Sequence, residues 1–275
     1  MKSTRKYVGR IKLDLLIFLS PSTLVSMLII CTLQTVNYLS KNWNSGSSIG
    51  NVIFQLYGGI VWYEFITPDA AAFWLLQLLP CGMAFSSFMS RSMNNQLSLI
   101  AYRYKSQTAW WISKVLANLI GCFLIALLSG LLCGVISYLD GLQDLRVTMQ
   151  DADGFRILSI SPVLLALLAY ALQMALLTGF GMLTYLITRD TKIGLLSYLL
   201  PAAWSIMQFS GDDLVLVDNR HRIINYGMAK RFSFNGSFGI NITEAICGSL
   251  LYIIIFALLG ALVQQWVVQT QRRAR

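Results

Sequence analysis

The chain has 275 residues, of which 56% are hydrophobic and only 12% charged, and its mean hydropathy is +0.62. Soluble domains carry about 25% charge, so a water-solvated globular surface is excluded. The formal net charge of +9 comes from basic residues that flank apolar runs instead of forming one patch, which excludes a nucleic-acid surface and fits membrane-topology signals.

Apolar runs near twenty residues recur, each long enough to cross a hydrocarbon core about 30 Å thick. They predict an all-α polytopic membrane protein: six transmembrane helices preceded by an interfacial amphipathic helix. The opening, MKSTRKYVGRIKLDLLIFLSPSTL, is basic and then apolar like a signal peptide. Its apolar stretch runs on to Leu39, too long for an h-region, and no small-residue cleavage site closes it. Ser20-Pro21 divides it better, with serine as N-cap and proline at the first helical position. Residues 1–20 then form a separate helix in the membrane interface, with Val8, Ile11, Leu15 and Phe18 at three-and-four spacing behind the basic Lys2, Arg5 and Lys6. The alternative is a plain basic flank before one long tilted span.

The first span is expected over Pro21 to Leu39. Five more follow at Ala70 to Ser90, Trp111 to Leu139, Ser161 to Ile187, Ile193 to Phe209 and Ala245 to Val268. One six-span bundle thus occupies 21–268, with a tail at 269–275. Pro80 and Pro201 lie inside spans and predict kinks. The short link TRDTK, Thr188 to Lys192, makes spans four and five a tight hairpin. Placing both termini on one side collects 14 of the 21 basic residues there with only Asp14 and Asp190 among the 12 acids. The net charges are +12 on that side and −3 on the other. The positive-inside rule makes that side, with both termini, cytoplasmic.

Three outside segments remain. DGLQDLRVTMQDADGFR reads as an acidic loop. KNWNSGSSIGNVIFQLYGGIVWYEFITPD turns apolar and aromatic, and either caps the bundle or dips into the interface. LVLVDNRHRIINY reads equally as a small hairpin around Asp218-Asn219 or as coil.

Catalytic chemistry is sparse. His221, the only histidine, lies in an outside loop between Arg220 and Arg222. No zinc-ligand spacing, no P-loop and no G-x-S-x-G turn occurs. No catalytic or metal residue is therefore assigned and the chain reads as no enzyme. Cys31, Cys81, Cys122, Cys133 and Cys247 all fall inside apolar runs and read as small core residues. The spans as drawn hold no Asp or Glu, and their only basic residue is Lys114, near an end. Ion-coupled carriers keep such groups in their spans, so the energy source is expected elsewhere. Gln77, Gln173 and Gln208 are the polar groups available to line a substrate path; such side chains more often join helices.

From Arg91 to Trp110 the chain leaves the bilayer on the basic side. Leu97, Leu99 and Ile100 give an apolar edge beside the positive Arg103 and Lys105, a combination suited to docking on another protein. Trp110 and Trp111 are expected as membrane-interface anchors of the next span. The run LSLIAYRYKSQTAWWISK, with Arg103, Lys105, Ser106, Trp110, Trp111 and Lys114, resembles the cytoplasmic segment between spans two and three of six-span ABC exporter permeases. Bacterial members commonly carry a basic R-x-K/S-R-x-x-W-x-x-x-K pattern there; this chain has Gln107 where many have a further basic residue.

The resemblance implies that segment 91–114 acts as a coupling helix on a separate ATPase subunit, which supplies the ATP and Mg site that this chain lacks. It further implies a second permease subunit, identical or homologous, a bacterial cytoplasmic membrane with its lipid, and outward movement of a peptide or other amphipathic molecule. Antimicrobial peptides are among the substrates of bacterial relatives of this size. A competing reading is an accessory membrane protein without a transport path, such as an immunity or sensor subunit.

Overall fold

The structure is a computed structural model that describes residues 11–41, 48–59, 68–94, 107–151, 154–158, 161–207, 226–231 and 240–273. Helix α1 covers residues 11–18. The chain then breaks where Ser20-Pro21 was expected to break it. The Ser20 carbonyl accepts the Leu24 N–H at 3.0 Å and opens α2, Pro21–Lys41, with proline at its first position. There follow α3 (Ile49–Tyr57) and α4 (Pro68–Phe88), which passes into a π-helical turn at Met89–Asn94. Next come α5 (Gln107–Leu139), strands β1 (Val147–Asp151) and β2 (Gly154–Leu158), α6 (Ser161–Thr188) and α7 (Thr191–Met207). A 3₁₀ turn at Ala229–Arg231 and α8 (Ile242–Arg273) complete the described elements.

Five helices, α2, α4, α5, α6 and α8, are long and apolar enough to cross a membrane. The remaining expected span, the fifth in chain order, corresponds to α7, whose 17 residues carry Pro201. Helix α6 is the hub: it packs against α3, α5, α7 and α8. Two-thirds of its most apolar window is buried, against 11% for α8. Both helices are apolar all round; α8 turns Leu251, Ile254, Leu258 and Leu262 outward, a face that lipid or another apolar surface must cover.

Backbone contact is closest where glycines face each other. A Cβ on Gly181 would lie 2.7 Å from the Gly194 carbonyl oxygen, and one on Gly194 3.1 Å from that of Gly181. The two glycines let α6 and α7 approach as small residues do in membrane bundles. Their hairpin turns in two residues. Arg189 takes a left-handed φ of 60°, and Asp190 Oδ1 accepts the Lys192 N–H at 2.8 Å, capping α7. Helix α5 ends in a Schellman turn: Leu142 N–H reaches Ser137 O, Gly141 N–H reaches Tyr138 O, and Gly141 has φ of 94°. Proline 80 sits within α4. Just before it, the Gln77 carbonyl accepts the Tyr170 hydroxyl and the Leu78 carbonyl accepts that of Tyr198 at 2.6 Å, so α6 and α7 support α4 where its ladder is interrupted.

The long helices alternate in direction. The start of α2, the end of α4, the starts of α5 and α7 and the end of α8 gather with α1 at one end of the bundle. Contacts of Lys114 with Asp14 and Ser92, of Gly194 with Met89, and of Gln265 with Thr108 define that end. At the opposite end lies α3, with Ser48 as N-cap accepting the Asn51 N–H at 3.0 Å. At nine residues it is too short to span. Nearly all of it is buried against α5 and α6, so it caps the bundle. Gly50 packs on the Leu145 carbonyl, and Ser48 Oγ donates to Arg146 O at 2.5 Å.

Beside α3 the acidic stretch is not simply a loop. β1 and β2 pair antiparallel from Val147–Leu158 to Asp151–Gly154, so the all-helical expectation is corrected by one two-stranded ribbon. Its signal was present: β-formers on either side of Asp-Ala-Asp-Gly. The hairpin weighed around Asp218-Asn219 lies outside the described residues. Four of the five cysteines are buried in the bundle, and Cys81 and Cys122 hold their sulfurs 3.8 Å apart.

Candidate functional site

The most concentrated polar chemistry among the described residues is a buried ion pair at the α1 end. Asp14 and Phe18 stand four residues apart on α1 and so share a face. That face points into the bundle, while Leu13 and Leu16 point out. Ile11 and Leu15, half-buried, flank it. The expected apolar stripe therefore carries an acid at its centre.

Lys114, two turns into α5, reaches that acid. Its Nζ lies 2.6 Å from Asp14 Oδ1 and 2.7 Å from Oδ2. Ser92, brought inward on the π-turn after α4, accepts from Lys114 Nζ at 2.5 Å and donates to Asp14 Oδ1 at 2.6 Å. All three residues are at most 1% exposed. Around them stand rings: Lys114 Nζ is 5.8 Å from the Phe88 centroid and 5.9 Å from that of Trp110. Phe18 meets Phe88 edge to face at 5.8 Å. A Cβ on Gly121 would strike the Phe18 ring at 2.5 Å, so α5 needs glycine there to admit α1.

Taking two charges out of water costs several kcal/mol per ion, and only good geometry with further hydrogen bonds offsets it. Here the carboxylate receives three contacts and the ammonium finds three oxygens and two ring faces. The cluster can fix elements relative to one another. It offers no nucleophile or metal set, and among the described residues no group of three metal-type ligands occurs. Its position gives it meaning: Ser92 stands just before residues 95–106 and Lys114 just after them. The pair thus clamps α1 to both roots of the segment that resembles a coupling helix.

Of the expected docking residues, Leu97, Leu99, Ile100, Arg103 and Lys105 lie outside the described residues. Trp110 and Trp111 are placed differently from an aromatic belt. Their side chains are 0% and 1% exposed, inside the protein instead of on its outer surface. Trp111 Nε1 donates to Ala257 O at 2.7 Å and its ring fills the space over Gly260, locking α5 to α8. Trp110 packs beside Lys114.

Gln77 and Gln173 are also buried, at the α3 end. Gln77 Nε2 donates to Leu56 O, joining α4 to α3, and Gln173 packs under Gly227. Both join elements. Gln208 lies outside the described residues. Sequence named Lys114 as the one basic residue in the spans and as part of the LSLIAYRYKSQTAWWISK run, and Asp14 as one of two acids on the basic side, but paired neither; Ser92 was not singled out. Asp14 is the sole acid before Glu64 and sits in an apolar stripe.

No family model matches the chain, and no curated protein matches it.

Proposed function

We propose that the chain is the membrane-spanning subunit of an ATP-driven ABC exporter. It crosses a bacterial cytoplasmic membrane six times with both termini inside, and it works with a second permease subunit and a separate ATPase that binds ATP and Mg. The observation that carries this reading is the run LSLIAYRYKSQTAWWISK, whose resemblance to a coupling segment coincides with a buried clamp at both of its roots. A docking segment that receives force from an ATPase must be tied firmly to the spans it moves. Here it is tied through Ser92 and Lys114 to an interfacial helix as well. The charge split supports the orientation, since basic residues gather at the α1 end. The substrate class that fits the resemblance is a peptide or other amphipathic molecule, with antimicrobial-peptide export or immunity as the biological setting.

The test is the double substitution Arg103→Glu and Lys105→Glu, in a background with two lysines added to the C-terminal tail to keep the inside charge. Reversed charge at a docking surface costs up to several kcal/mol, so the ATPase should no longer co-purify or be stimulated by substrate. Normal co-purification and hydrolysis would reduce the pair to a topology signal.

A further inference from the structure

Cys81 on α4 and Cys122 on α5 hold their sulfurs 3.8 Å apart, and both side chains are 0% exposed. As a packing unit a buried cysteine is a small hydrophobe, and alanine could stand in for it. What alanine could not reproduce is this contact between two thiols. A neighbouring hydroxyl orders its protons. Thr178 Oγ1 gives its single hydrogen to the Met174 carbonyl at 2.7 Å, one turn back along α6. Toward its other neighbours it can therefore only accept, from Asn118 Nδ2 at 2.8 Å and from the Cys122 sulfur at 3.8 Å. The Cys122 S–H is thus directed at Thr178, which leaves the Cys122 sulfur as the acceptor facing Cys81.

Two chemistries are open to such a pair. Metal binding would need both thiols ionised away from water, which is costly, and among the described residues no third metal-type ligand joins them. Disulfide formation leaves no charge and adds no atom. An S–S bond is about 2.0 Å long, so the sulfurs close by roughly 1.8 Å, between helices that already pack together. We propose that Cys81 and Cys122 form a peroxide-responsive dithiol whose disulfide staples α4 to α5. Hydrogen peroxide is uncharged and close to water in size, so it can enter where a charged thiol such as glutathione cannot. The Cys122 sulfur attacks one peroxide oxygen and the O–O bond breaks. The released hydroxide takes the thiol proton and leaves as water, and Cys122 becomes a sulfenic acid. The Cys81 sulfur then attacks that sulfur, the S–O bond breaks, and the second hydroxide leaves with the Cys81 proton as water. The dithiol gives up two electrons and the peroxide becomes two waters. The link closes a stretch of 41 residues that includes Ser92 and Lys114. The chemistry is independent of the exporter reading; under that reading the staple joins the two spans that carry the coupling segment between them.

The experiment treats the full chain with hydrogen peroxide in lipid nanodiscs, both as the parent and with Cys247→Ala, which removes the exposed thiol. Remaining thiols are alkylated in denaturant, and the products are read by intact mass and peptide mapping. One disulfide is expected, Cys81 to Cys122, forming about tenfold or more faster than any other link, since these sulfurs start in contact. Cys81→Ala should stop instead at a Cys122 sulfenic acid that dimedone traps. Closing a stretch of 41 residues should also raise the midpoint of thermal unfolding by roughly 8–16 °C. If Cys81 and Cys122 both stay alkylatable at a peroxide dose that oxidises Cys247 in the parent, the proposal fails. It fails equally if the bond joins any other two cysteines. A bond that forms but leaves the midpoint unchanged or lower would also overturn it, because the native packing would then not accommodate the staple.

Discussion

Removing Lys114 is the sharpest test of the clamp. In Lys114→Met the Asp14 carboxylate stays buried with only Ser92 to donate to it, since both oxygens lose the ammonium at 2.6 and 2.7 Å. Breaking a buried pair from one side costs about 3–5 kcal/mol. At about 2–4 °C per kcal/mol for a chain of this size, the midpoint of thermal unfolding should fall by roughly 6–20 °C. Asp14→Asn should cost comparably, because it leaves the ammonium buried between Phe88 and Trp110. Asp14→Leu combined with Lys114→Met removes both charges and should recover most of the loss, since apolar replacement of a whole buried pair is often neutral or stabilising by about 1–4 kcal/mol. Fluorescence-detected melting of the purified protein reads stability. Limited proteolysis near Ser20 reads whether α1 has come away, which the single variants should show and the double should not. Single variants that melt within about 2 °C of the parent, or a double variant whose loss is the sum of the singles, would refute the reasoning, because uncoupled positions add.

Gly181→Val forces a side chain against the Gly194 carbonyl at 2.7 Å and should destabilise by about 1–3 kcal/mol through overpacking. Gly179→Ala, whose new Cβ meets only Phe256 at 3.5 Å, should melt like the parent. Tyr198→Phe loses one hydrogen bond to α4 at Leu78 and should cost about 1 kcal/mol in the same assay. Arg189→Gly relieves a left-handed backbone at φ 60° and should stabilise the α6–α7 hairpin by about 1 kcal/mol; a lower melting point would mean the arginine side chain matters more than its backbone. Engineered thiols near Arg103 and Arg272 should be labelled only from inside, and near Asp151 and Asn219 only from outside. An outside label at Arg103 would overturn the orientation and the coupling together.

Much of the architecture was legible because a bilayer simplifies the code. Apolar length alone marks α2, α4, α5, α6 and α8, and local punctuation marks their ends: Ser20-Pro21 divides α1 from α2, and Arg189-Asp190 divides α6 from α7. These are contacts between residues close in the chain, which sequence reports directly. The β1–β2 ribbon was equally local and its turn composition was present, but the acidity of the stretch outweighed it in the reading.

The clamp was of another kind. Asp14 and Lys114 are 100 residues apart, and composition treats each as one more charge at a membrane edge. Only the fold turns the Asp14 face of α1 inward, and only a π-turn after α4 carries Ser92 to the same point. Trp110 and Trp111 read as a belt because tryptophan favours interfaces. Whether they meet lipid or α8 depends on which way α5 is rotated, and side chains from distant segments, Ala257 and Gly260 among them, decide that. Sequence by itself determined which segments leave water, since that depends on the summed transfer of about twenty residues. The tertiary structure decided which faces meet, because a rotation of one helix about its axis leaves that sum unchanged while exchanging every partner.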